Sequence, residues 1–400
     1  MLEKKMPVDW DQIRKTQFPA LEEFTYLITA GSGPMSKRAY DSGITYFNHM
    51  LNYGEVDHEL FFLDMLDTRK MIAEYLNAKI DNIAFMINTS SGLATIAHLF
   101  EDKKGEILYP YIEFPATVHL FKRMGYACKK VEEKDFKYPL EKFKEQVSEN
   151  TKFSLQSHVQ SFNGFRQNLQ EFGEFCKENN LINMINATQS FGAFEIDVKK
   201  DNIDLLVSSG LKWLACGWGI GILYLNDKLI DKEGRNLPFT SWLSVEDPYA
   251  MDNENLNIIE KPLAMDSFGG CPNFAGLYAL KGGLELIKHE IGNGDIRNGI
   301  KNIQNRILWL TNEFIQKVRD FDFKIISPLE DQFRSGIITV EHEKAKKIFR
   351  ALKKNKIYIT LKRYPDSKKE TLLRFAINYY NNMEDLELTI KILSDIFKSL

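Results

Sequence analysis

Between residues 83 and 225 the chain carries seven short apolar runs, each bounded by a turn or by a segment of helical periodicity. They cover 83–87, 106–109, 126–131, 153–156, 182–185, 204–208 and 220–225. Runs of this length suit strands buried on both faces and are too short for buried helices. The segments 92–100, 117–124 and 169–178 lie between them and repeat their apolar residues at three and four. Strands that alternate with helices require a mostly parallel sheet with helices on both faces. The expected large unit is therefore α/β, with a seven-stranded, mostly parallel sheet in three layers.

The pattern changes near residue 275. Residues 274–291 and 296–318 read as long helices, 323–326, 336–340 and 372–377 as strands, and 383–396 as a closing helix. This is the signature of a smaller α+β unit. Upstream, residues 40–76 read as helical and the first 26 as a polar arm with isolated aromatics. The expected division is an N-terminal arm over 1–26, a large domain over 27–273 and a small domain over 274–400. A chain of 400 residues with 44% apolar content can bury both cores.

Composition removes several function classes. A net charge of −3 spread over 27% charged residues gives no electrostatic reason to bind nucleic acid or an anionic membrane. No stretch of about 18 apolar residues could span a bilayer. The first ten residues hold no apolar run, and the four cysteines are spaced for neither a zinc site nor a redox pair. These features predict a soluble cytoplasmic protein without a metal.

Ligands of such sheets bind beyond the carboxyl ends of the strands. After the first run comes Asn88-Thr89-Ser90-Ser91-Gly92 at the start of an apolar helix. Free N–H groups and the positive dipole end suit a phosphate there, although hydroxyls also cap helices for purely local reasons. After the sixth run comes Ser209-Gly210-Leu211-Lys212-Trp213. A lysine among apolar neighbours has a depressed pKa and attacks carbonyls, whereas a lone lysine more often reaches out to water. Asn186-Ala187-Thr188-Gln189 follows the fifth run, with amides that can bond a heteroaromatic ring. Phe114 follows the second, where it can stack on a flat ligand or simply pack. Gly217, Gly219 and Gly221 precede a strand, so they form no dinucleotide fingerprint. Only one glycine follows the first strand, which argues against a nicotinamide oxidoreductase.

Taken in order, these segments resemble the class V aminotransferase branch of fold-type I pyridoxal-phosphate (PLP) enzymes, with its isopenicillin N epimerase-like, cysteine desulfurase-like and kynureninase-like members. The resemblance implies a Schiff base on Lys212, which also shuttles the proton of the substrate's α-carbon. It assigns Thr89, Ser90, Ser91, Gly92 and Ser209 to the cofactor phosphate and Phe114 to the ring face. Phenylalanine stands there in kynureninase-like members, histidine in desulfurases. Gln160 or Ser161 would reach the ring's phenolic oxygen, and Arg374 the substrate carboxylate. Gly269-Gly270-Cys271-Pro272-Asn273 resembles the segment that a second subunit lends to the phosphate, which implies a homodimer, with Cys271 in the place of the usual threonine.

The sequence departs from the pattern at two places. Asn186, three residues before Gln189, replaces the aspartate that keeps the pyridine nitrogen protonated, which implies a weaker electron sink. Leu211 replaces a histidine. Residues 357–374 hold no cysteine, which argues against a cysteine desulfurase. The resemblance implies an enzyme acting on an amino acid, most readily an aminotransferase. The alternatives are a lyase or epimerase, or a PLP-binding protein with weak catalysis. The Gly31–Pro34 turn and Trp213 are the expected neighbours of the substrate.

Overall fold

The structure is a computed structural model that describes residues 8–364 and 368–399. Its strands are β1 (Thr25–Tyr26), β2 (Ile83–Met86), β3 (Glu106–Pro110), β4 (Ala127–Val131), β5 (Thr151–Ser157), β6 (Ile182–Asn186), β7 (Leu205–Ser209), β8 (Gly221–Leu225), β9 (Lys324–Ile325), β10 (Ile337–Glu341), β11 (Ile357–Tyr358), β12 (Thr360–Lys362) and β13 (Leu372–Ala376). All seven apolar runs of the large unit became strands, β2 to β8. They form one sheet in the order β2-β8-β7-β6-β5-β3-β4. Neighbours from β4 through to β7 are parallel, and β8 runs antiparallel to both β7 and β2. Every residue of β2, β7 and β8 is buried, as strands covered on both faces require.

The helical pattern expected over 40–76 is two helices, Lys37–Tyr53 and Glu59–Leu76. The break falls at Gly54, whose φ of 62° ends the first helix. Downstream, the helix Phe274–Glu285 passes into a wider turn at Leu286–Ile291, and Ile296–Val318 is helical throughout, as expected. The second sheet has the order β12-β13-β10-β9, all antiparallel.

The N-terminal segment is tied to this second sheet. Strand β1 pairs in parallel with β11, and Leu27 exchanges backbone hydrogen bonds with Tyr358 and Ala376. The guanidinium of Arg14, in the helix Trp10–Gln17, donates to both carboxylate oxygens of Asp385 at 2.9 and 3.0 Å. From there the chain turns at Gly31–Pro34 and reaches the large sheet. Among the described residues, no helix is long and apolar enough to cross a membrane, and no group of three or more His, Cys, Asp or Glu side chains could hold a metal ion.

Candidate active site

Five strands of the large sheet end at one cavity. Its walls include Thr89 and Ser90 after β2, Phe114 and Thr117 after β3, Ser157 and Ser161 after β5, Asn186, Thr188 and Gln189 after β6, and Lys212 after β7. The helix Thr89–Leu99 opens at its floor. Asn88 caps that helix by accepting from the Ser91 amide at 2.9 Å, and the Ser91 hydroxyl completes a capping box. The first amides of the helix therefore point into the cavity together with the positive end of its dipole.

Lys212 is held on a rigid segment. The Gly31–Pro34 turn lies against it so closely that a Cβ on Gly33 would stand 2.3 Å from the Lys212 carbonyl oxygen. The Gly33 amide donates to Leu211 O at 3.0 Å. The amine itself lies 5.7 Å from the centre of the Phe114 ring. Burial, and then the neighbouring Arg374 cation, lower its pKa to about 7. Near neutral pH a large share of this amine carries a free lone pair.

Arg374 lies on β13, buried, with its pKa lowered to about 10 by burial. It donates to Ser161 O at 2.7 Å and to Thr360 Oγ1 at 3.4 Å, and its Nε has no partner. Asn186 donates from Nδ2 to Thr117 Oγ1 and accepts the Thr188 amide on Oδ1, both at 3.0 Å. The hydroxyl of Ser209 and Oε1 of Gln160 are buried without partners.

Other expected residues have different local duties. Gly92 is not in the cavity wall; a Cβ there would meet Val207 Cγ1 at 2.8 Å, so the glycine lets the helix pack on β7. The Ser91 hydroxyl is engaged in the cap. Gln189 spends both ends of its amide, donating to Ala30 O and accepting from Trp213 Nε1, each at 2.9 Å. Trp213 is fully buried and is not in the wall of the cavity. Cys271 is exposed and lines a separate surface cavity with Tyr46, Met50 and Trp242.

Two residues were missed. Glu113 accepts from Ser157 N, Ser157 Oγ and Gln160 Nε2 at 2.8, 2.6 and 2.9 Å, and so fixes the end of β5. Burial raises its pKa, against the pull of those hydrogen bonds. Its signal was an acidic residue next to Phe114 at a strand end. The other is Lys362, which shares the Ser161 carbonyl with Arg374. Its signal was the alternation of Thr360 and Lys362 in a strand too short to stand out.

Residues 25–388 match the family model described as aminotransferase class-V. Curated relatives include a kynureninase of Bacillus cereus, 24% identical over 96% of this chain and 91% of that protein. A probable cysteine desulfurase of Pyrococcus abyssi is 26% identical over 84% of this chain and 83% of the relative. Among solved structures, a cysteine desulfurase from Thermococcus onnurineus superposes with a TM-score of 0.84 at 20% identity, covering 99% of both chains. A cystine C–S lyase complexed with cysteine persulfide superposes at 0.80 with 16% identity, over 95% of this chain and 99% of the other. The three-layer fold of type I PLP enzymes is therefore the fold of this chain.

The relatives overturn the aminotransferase label expected from the sequence, and with it the exclusion of desulfurases. A kynureninase and two probable cysteine desulfurases match over most of the chain. The physical reason is that the lysine segment and phosphate cup serve steps common to many reactions. They do not encode what happens at the next carbon.

Proposed function

Since this chain belongs to the aminotransferase class-V family, we propose that it is a lyase that uses pyridoxal 5'-phosphate to release a substituent from the β-carbon of an amino acid. It is an enzyme, and pyridoxal phosphate is its cofactor. One observation carries the cofactor part of the reading: the Lys212 amine, its pKa lowered to about 7, lies over the Phe114 ring in a cavity floored by a helix N-terminus.

The residues present fit such a group. The unpartnered Ser209 hydroxyl and Gln160 Oε1 are buried polar atoms that a polar ligand would satisfy. Thr89, Ser90 and Ser209, with the first amides of the helix, would hold the phosphate. Phe114 would cover one face of the ring, Asn186 would meet its nitrogen, and Gln160 or Ser161 its phenolic oxygen. When bound, the cofactor supplies an aldehyde for amines and a conjugated ring that spreads the electron pair left at the substrate's α-carbon.

The remaining chemistry belongs to the chain. Lys212 offers its lone pair as nucleophile, then takes the α-proton and can return it. Arg374 holds the α-carboxylate, its guanidinium plane fixed between Ser161 and Thr360. Loss of the proton to Lys212 leaves an electron pair beside the β-carbon, from which a leaving group departs. The names of the relatives support this outcome over transfer of the amino group.

The test starts from the visible spectrum of the purified protein with pyridoxal phosphate. The wild type develops a Schiff-base band and Lys212→Ala does not. Amino acids bearing a β-leaving group then release it without aminating an added keto acid. Amination of the keto acid at a rate matching release would overturn the lyase reading.

We also propose a cytoplasmic homodimer. Four cysteines, none in a disulfide, support a reducing compartment. Phe47, Leu51, Leu60, Leu63 and Trp218 stand exposed on or beside the helices Lys37–Tyr53 and Glu59–Leu76, and a second copy would cover them.

A further inference from the structure

Strand β12 is the edge of the second sheet and pairs antiparallel with β13, setting Thr360 opposite Arg374 and Lys362 opposite Leu372. Side chains directly opposite one another share a face, and residues two apart along a strand do as well. Thr360, Lys362 and Arg374 therefore lie on one face. That face meets the 158–164 loop, whose Ser161 lines the Lys212 cavity. Thr339, opposite Arg374 on its other side, donates to Phe162 O at 2.9 Å and fixes the loop against the sheet.

Lys362 extends over the same loop. Its amine lies 3.3 Å from Ser161 O, the carbonyl that also accepts from Arg374, and 5.6 Å from the centre of the Phe162 ring. Burial and the positive charges of Arg374 and then Lys212 lower its pKa to about 7. Among the described residues, no carboxylate pairs with Lys212, Lys362 or Arg374; Lys362 donates to Ser161, and Arg374 to Ser161 and Thr360. Lys362 and Arg374 thus share an uncharged acceptor, the carbonyl of Ser161, a residue that lines the Lys212 cavity.

Under the proposed function Lys212 condenses with the cofactor and Arg374 takes the α-carboxylate. Lys362 has no assigned duty, yet a bridge to a carbonyl alone needs no amine among like charges. A lysine that only braced the loop would be more stable with a carboxylate beside it or with its amine in water. We propose that Lys362 is a specificity residue which, beside Arg374, receives a second anionic group on the substrate's side chain, so that the preferred substrates are acidic amino acids. This rests on the reading of the cavity as a PLP site. A second anion would pair with Lys362 and favour its charged form.

The experiment titrates the loaded protein with L-aspartate and L-glutamate, and with L-asparagine and L-glutamine as uncharged counterparts of similar shape. Binding is read from the shift of the visible band and from Tm. The wild type binds at least one acid about tenfold more tightly than its amide. Lys362→Met removes that preference, weakening the acid far more than the amide, and Lys362→Arg retains most of it. The proposal is overturned if the amides bind as tightly as the acids, if neither acid binds, or if Lys362→Met weakens acid and amide alike. A missing band in the wild type, or a band that survives Lys212→Ala, points instead to failure of the cofactor reading, and the inference falls with it.

Discussion

At the residue scale, the decisive quantity is the cost of protonating Lys212. The folded chain lowers this pKa from 10.5 to about 7, chiefly by burial. Between those values the unfolded chain holds a proton that the folded chain lacks. Stability therefore rises with pH across that window, and below about pH 7 the full penalty persists. Replacing the amine by an apolar chain of similar length removes the penalty. In the cofactor-free protein at pH 6, Lys212→Met raises Tm by roughly a few degrees, and the gain shrinks as pH climbs toward 10.5. Equal melting curves at pH 6, or a gain that grows with pH, would show that the amine is well solvated. Apolar neighbours made this lysine a candidate, and the resemblance of its segment gave it a role. The sequence did not disclose Glu113 or Lys362, because their importance lies in what the fold brings beside them: the end of β5 in one case, Arg374 in the other.

At the element scale, most long strands and helices were legible, and of the short strands β9 was read over 323–326 while β1, β11 and β12 were not. All seven strands of the large sheet could be read as short runs between turns and helices; six are largely buried, while β4 at the sheet edge buries only Val131. Strands β11 and β12 span only two and three residues, and their pairing with β1 and β13 supplies an order that no local pattern signals. The single helix expected over 40–76 failed at Gly54, because periodicity continues on both sides of a turn that backbone conformation sets. The turn at Gly31–Pro34 gives a sharp test. Gly33→Ala places a methyl group 2.3 Å from the Lys212 carbonyl oxygen, so backbone must move. The expected loss is about 2 kcal/mol or more in denaturant melts, with weaker retention of cofactor absorbance. Gly54→Ala meets no atom within 4 Å but must hold a φ of 62°, and costs about 1 kcal/mol with cofactor retention unchanged. If the two variants were equally benign, the close approach at Lys212 would not matter.

At the scale of the whole molecule, the apolar side chains left on the outer helices exceed what a lone chain needs. Leu51 is 81% exposed and Trp218 75%. Sedimentation of the purified protein is expected to give a dimer, and Leu51→Asp to shift it toward monomer at micromolar concentration. A wild type that stays monomeric at high concentration would remove the second copy from the picture. Such a surface is hard to read in sequence, since an apolar helix face looks the same whether it meets the core or a neighbour.

The pairing of β1 with β11, and of Arg14 with Asp385, has a consequence for how the enzyme comes into being. The first turn to reach Lys212 is anchored by residues far downstream in the chain, Ile357, Tyr358 and Asp385. A nascent polypeptide emerging from the ribosome can assemble its large sheet early, but the lysine's support stays unfinished until the helix that carries Asp385 has left the exit tunnel. Competence to bind cofactor thus waits for that helix, and chains that stop before Asp385 are barred from it.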